Sequence, residues 1–87
     1  MYLHYIHINK NWYYWFSEWN YTKIFNSNKF KEFADFIWFA GEDTTKSNAK
    51  KILKTKFPND NAILTYFYHA NPSIGCFCKW AKENNIF

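Results

Sequence analysis

The sequence predicts an all-α fold: a compact four- to five-helix bundle behind an N-terminal extended arm or short strand. Three observations point there. Phe33, Phe36, Ile37 and Ala40 fall at i, i+3, i+4, i+7, with Phe30 one turn earlier. Trp12, Trp15, Phe16 and Trp19 match the same template in full. Both runs are bracketed by residues suited to start and stop a helix, and the connections between such runs are short. A spacing of that kind lays apolar side chains along one face of a 3.6-residue period.

Met1 to Ile8 alternates loosely and is rich in Tyr and Ile, so it reads as an arm laid over the bundle or as a short strand. Asn9-Lys10-Asn11 reads as a turn with Asn11 as a helix N-cap. The Trp12–Trp19 helix follows. Tyr21 to Phe25 fits either an extended link or a continuation of that helix. Asn28 then caps the central helix, which runs to Gly41, a residue type that ends helices in the left-handed conformation. Lys29, Lys31, Glu32 and Asp35 keep its other face wet.

Glu42 to Thr45 forms a polar loop ahead of a helix over Lys46 to Thr55, with Ala49, Ile52 and Leu53 inward. Phe57-Pro58 ends it, because the residue before proline is pushed out of the helical region. Asp60 caps a helix from Asn61 to Ala70 with Ile63, Tyr66, Phe67 and Ala70 inward. Ser73 caps the last helix, whose inner stripe is Ile74, Phe77, Cys78 and Ala81 with Trp80 beside it. Asn84 to Phe87 is expected to fray unless Phe87 docks. The 87 residues make one domain, residues 1–11 as arm and 12–84 as bundle.

Between Phe33 and Glu83 the chain resembles the YozE-like family of small helical proteins. The resemblance rests on Phe33-x-x-Phe36-Ile37, Asp43-Thr44, Ser47-Asn48-Ala49, Ile52, Phe57-Pro58, Leu64-x-Tyr66 and Phe77-x-x-Trp80. It implies a SAM-like four-helix bundle and no established catalytic function. The Trp-rich N-terminal third has no counterpart in that family, and the family's Gly is absent at the Ser47 position.

Composition narrows the chemistry. A chain this short buries roughly 60% of its unfolded surface, so its core must be dense. Ten Phe, seven Tyr and five Trp supply that density and exceed what such a core needs, leaving rings for a partner. Net charge is +4, carried by lysine without a single arginine. Lysine neutralises phosphate as a point charge but lacks the fork that reads guanine. Cys76 and Cys78, two apart, are poorly placed to bridge each other, which suggests a reducing, cytoplasmic setting. No signal-peptide pattern or membrane-length apolar run occurs.

Catalytic candidates reduce to simpler readings. Glu32 and Asp35, at i, i+3, suit a solvated helix face better than an acid–base pair. His4, His7, Cys76 and Cys78 include zinc-ligand types, but a C-x-C on a helix points its thiols apart. Nothing near His69 activates Cys76 or Cys78 as a nucleophile. With two glycines there is no phosphate-cradling loop. No cofactor, metal or catalytic residue is assigned.

What is left is binding. Trp12, Tyr13, Tyr14, Trp19 and Tyr21 are the expected partner-contact residues, with Tyr13 and Tyr14 the most exposed and Trp12, Trp15 and Trp19 largely in the core. Lys46, Lys50, Lys51, Lys54 and Lys56 form a basic stripe suited to an acidic partner or to nucleic acid. The sequence thus suggests a non-enzymatic module of phage or mobile-element type. Its partner would be a host protein complex, of defence or of nucleic-acid handling, engaged in the host cytoplasm and away from membranes. Direct DNA or RNA binding through the lysines is the alternative, and a homodimer is compatible with the surplus of rings.

Overall fold

In the computed structural model, residues 1–18, 32, 34–42, 46–70 and 72–86 are described, Glu42, Lys46 and Ile74 by backbone alone. The elements in chain order are β1 (Tyr2–Ile8), β2 (Asn11–Ser17), β3 (Phe36–Glu42), α1 (Lys46–Lys56), β4 (Leu64–Tyr66) and α2 (Ile74–Glu83). The expected all-α bundle is therefore corrected to a mixed fold, and the SAM-like architecture implied by the YozE resemblance does not hold. Four strands form one sheet in the order β3-β1-β2-β4. α1 packs on one face and α2 on the other.

The N-terminal segment is the centre of the sheet. β1 pairs antiparallel with β2 from Tyr2↔Ser17 to Ile8↔Asn11, and with β3 from Tyr2↔Glu42 to His7↔Phe36. Strand side chains alternate between faces. Leu3 and Tyr5 join Trp12, Tyr14, Phe16, Ala49 and Leu53 in the core beneath α1. Ile6 and Ile8 join Tyr13, Trp15, Phe67, Phe77 and Ala81 in the core beneath α2. A central strand with both faces covered needs apolar residues at consecutive positions, and MYLHYIHI supplies them.

The Asn9-Lys10 turn is a two-residue hairpin loop. Both residues have positive φ, 49° and 67°, the signature of the type I′ turn whose twist matches paired strands. Asn11 therefore opens a strand where a helix N-cap was expected. The helix predicted over Trp12–Trp19 is β2 as far as Ser17; Trp19 lies outside the described residues. The template match was fortuitous, because aromatics also fill positions 13 and 14. An unbroken aromatic run satisfies any period, and aromatic residues favour pleated, buried surfaces.

The helix predicted over Asn28–Gly41 is likewise contradicted where it is described, since Phe36–Glu42 is strand β3. Gly41 does adopt positive φ, 116°, but beside a register shift opposite Leu3 and His4. Leu3 faces Gly41 while His4 faces Phe39, so Ala40 is the extra residue of a β-bulge. A Cβ on Gly41 would meet nothing within 4 Å, so the glycine serves backbone conformation rather than space.

α1 matches its predicted span closely. Ala49 and Leu53 are buried, and Phe57 turns back under the helix to contact Trp12 and Trp38. β3 and β4 both run parallel to β2, so α1 is the crossover between the two edges of the sheet. The helix expected over Asn61–Ala70 is instead an extended segment containing β4. Trp12 N–H to Ile63 O and Phe67 N–H to Tyr14 O, both 2.8 Å, bracket its parallel pairing with β2. Asp60 starts this segment as an Asx turn, accepting from the Ala62 amide at 2.8 Å.

α2 begins at Ser73, whose hydroxyl accepts from the Cys76 amide as predicted for an N-cap. It ends in a Schellman motif. Asn85 takes φ of 55°, its amide bonds Lys82 O, and the Ile86 amide bonds Ala81 O. Asn9 Nδ2 also donates to Ile86 O at 2.8 Å. Residues 84–86 are thus tied to the hairpin turn, where fraying was expected; Phe87 lies outside the described residues.

Two side chains with polar groups are fully buried, one on each face of the central strand. The Tyr5 hydroxyl, fully buried, donates to Ala49 O and ties the central strand to α1. Its ring stacks on Trp38 at 5.1 Å and meets Trp12 edge-on at 6.1 Å. On the other face His4 stacks on Trp15 at 5.3 Å and touches Phe39 at 5.7 Å. Burial lowers the His4 pKa from 6.5 to about 4, against backbone hydrogen bonds to Trp15 and Tyr2 that favour the proton.

Two outcomes follow. Tyr5→Phe is expected to lower unfolding free energy by about 1 kcal/mol in chemical denaturation, the net worth of one hydrogen bond. Below pH 6.5 the unfolded chain protonates His4 and the folded chain does not, so stability drops as pH falls towards about 4 and this contribution levels off below. The span corresponds to on the order of 3 kcal/mol. His4→Gln should remove this component from the pH profile of chemical denaturation; an unchanged profile would contradict it.

Candidate functional site

The site residues inferred from sequence divide into two groups with opposite fates. Trp12, Tyr13 and Tyr14 lie on β2 with 2%, 8% and 7% of their surface exposed. Tyr13 packs on Phe77 and Trp80, and Tyr14 on Tyr66 and Phe16. They are interior residues of the two opposite cores, so the surface expected of Tyr13 and Tyr14 is not there. Trp19 and Tyr21 lie outside the described residues.

The lysines are where the sequence put them. α1 buries Ala49 and Leu53, and Lys50, Lys51, Lys54 and Lys56 are all exposed. Lys46 is described by backbone alone, at the first position of the helix. The segment KSNAKKILKTK holds no acid, so every charged residue of α1 is basic. Lys54 and Lys56, in the last turn, also sit favourably against the helix dipole.

Apolar groups missed by sequence reading flank this face. Ile63, expected inward, is 68% exposed on the segment beside α1, and Phe36 is 45% exposed on the edge strand. Phe36 sits against Phe57 and Trp12, ring centres 5.6 and 6.0 Å away, near the C-terminal end of α1. Further round, Tyr68 is 75% exposed. Only pairing register could have revealed these positions, because a helix over 61–70 would have turned Ile63 inward.

Asp60 sits where the chain leaves α1. Trp12 Nε1–H donates to its Oδ2 at 2.7 Å, while Oδ1 takes the Ala62 amide. The Trp12 indole, then the Ala62 amide, hold its carboxyl below the usual range, and nearby His7 adds to the effect. His7 itself pairs through Nδ1 with Asp35 Oδ2 at 3.2 Å. His7, Lys10, Lys56 and Asp60 share one shallow depression at this end of the sheet.

Glu32 and Asp35, expected to be solvated, are both exposed, and Asp35 also pairs with His7. His4 and His7 lie on opposite faces of the sheet, and Cys76 and Cys78 lie on α2 without a disulfide between them. Among the described residues no group of three or more His, Cys, Asp or Glu is placed to hold a metal ion. Among them, too, no helix is long and apolar enough to cross a membrane.

These features define a small helix–sheet–helix domain with a basic outer helix and exposed apolar residues beside it. No family model, curated protein or solved structure matches the chain.

The Asp60 contact gives a local test. Asp60→Ala removes the acceptor of the Trp12 indole and the anchor of the turn. The Trp12 indole proton resonance is expected to move and to exchange faster with solvent, with little change in other tryptophan signals. An unaltered Trp12 signal would mean the contact does not persist in solution.

Proposed function

We propose that the chain is a non-enzymatic protein-docking module. It works in the cytoplasm by docking on a host complex, of defence or of nucleic-acid handling, and inhibiting or regulating it, as a small phage- or mobile-element-type protein. One observation carries this reading: α1 turns an acid-free row of lysines outward beside exposed Phe36 and Ile63. Exposed apolar side chains give a contact its desolvated centre, and a single-signed charged face steers the encounter and excludes like-charged partners. The contact residues differ from those first expected, since Tyr13 and Tyr14 are committed to the core.

Direct nucleic-acid binding is the second reading, favoured by the same exposed lysines and the +4 net charge. Contacts of that kind release counterions and weaken steeply as salt rises.

The two readings part in one comparison. The chain and a variant with Lys50, Lys51, Lys54 and Lys56 changed to Glu are used as bait in lysate of the cell type in which the chain is expressed. The same two proteins are titrated with a 30-base single strand and a 30-base-pair duplex at 50 and 200 mM salt. The docking reading expects a stoichiometric protein partner for the parent chain, at least tenfold depleted with the variant, and no tight DNA binding even at 50 mM salt. Tight DNA binding at 50 mM salt that weakens steeply by 200 mM and is lost in the variant would replace it with the second reading.

A further inference from the structure

A groove of about 400 Å³ runs between α1 and the segment that leads into β4. Its floor is apolar: Tyr14, Leu53, Phe57 and Leu64. Lys50 and Lys54, one helical turn apart and both exposed, stand along the helical wall. Ile63, mostly exposed, stands on the other wall. Asp60 lies where the chain turns from helix to strand, its carboxylate fixed by the Trp12 indole and the Ala62 amide. The groove therefore combines a dry floor, two positive charges on one wall and one immobilised negative charge.

That charge arrangement discriminates between occupants. A phosphodiester strand is negative at every residue, so whatever it gained at Lys50 and Lys54 it would partly lose at Asp60. Its bases would also find just two rings on the floor, the buried Tyr14 and the half-buried Phe57, the latter packed against Trp12, Phe36 and Trp38. A peptide can change sign along its length. An acidic side chain can meet Lys50 and Lys54, a basic one can meet Asp60, and an apolar one between them can take the floor. A site of this volume accepts one or two large side chains of an extended segment and excludes a folded element.

We propose that this groove binds an extended segment of a protein partner: one large apolar anchor flanked by an acidic residue facing Lys50 and Lys54 and a basic residue facing Asp60. The proposal rests on the protein-docking reading and names the chemistry of its partner. Ile63 closes over the anchor, and the opposed charges fix the direction in which the segment lies. Specificity comes from that polarity, because a reversed segment sets like charges against each other.

The test uses the full chain to select from a random heptapeptide display library, followed by titration of the synthetic consensus peptide. The expected consensus has one large apolar position with an acid on one side and Lys or Arg on the other. Its affinity should fall at least tenfold with Lys50→Glu/Lys54→Glu and with Ile63→Asp. A peptide whose acid is changed to Lys should bind the double Glu variant better than the parent chain. Circular dichroism verifies that each variant keeps the parent fold, and the gain of binding in the charge swap cannot arise from misfolding. A consensus without an acid, or one insensitive to Lys50 and Lys54, overturns the groove assignment and leaves the docking reading standing. No enrichment of any peptide, together with tight, steeply salt-dependent binding of the 30-base strand, overturns both.

Discussion

The whole molecule depends on keeping both faces of β1 dry. Leu3 and Tyr5 look to one side, Ile6 and Ile8 to the other, and His4 is as fully buried as they are. A strand of this kind is stable only with a neighbour on each edge and a layer on each face. β2 and β3 supply the edges and α1 and α2 the layers. The Asn9-Lys10 turn secures the first pairing locally, before any distant contact is needed. Tyr5 then reaches across 44 residues to the Ala49 carbonyl, fixing the face of α1 that is turned inward.

That demand determines what the surface has to offer. Trp12, Tyr13, Tyr14, Trp15 and Phe16 are consumed in covering two cores at once. The excess of rings is thus smaller than composition implies, because a sheet buried on both faces has twice the area to fill. Recognition passes to residues that the layers push outward: the lysines of α1, and Phe36 and Ile63 at the flanks. The basic face is as much a consequence of the helix's inward stripe as the core is. Ala49 and Leu53 can reach the sheet only if Lys50, Lys51 and Lys54 point to solvent.

The parts of the fold legible in the sequence are those governed by local chemistry. α1 with its lysines, the Ser73 cap, the stop at Phe57-Pro58 and the turn at Asn9-Lys10 all follow from neighbouring residues. The strands were not legible because their signal lies in pairing. Phe36, Ile37 and Ala40 fit a helical stripe, yet Trp38 and Phe39 between them are also apolar, and that continuity marks a segment covered on both faces. Gly41 was rightly assigned a positive φ and wrongly assigned a helix end, since a bulge and a helix terminus make the same conformational demand. At the site, the lysines could be read from sequence. The groove could not, because its second wall exists only once residues 60–64 are extended beside α1.

Amide hydrogen exchange followed by NMR tests the central role of β1 most directly. The slowest-exchanging amides of the chain should include Leu3 to Ile8, at rates reporting global unfolding. Cross-strand contacts should join Tyr5 to both Tyr14 and Trp38. Rapid exchange across residues 2–8, with helical protection over residues 12–17, would contradict the account at its root.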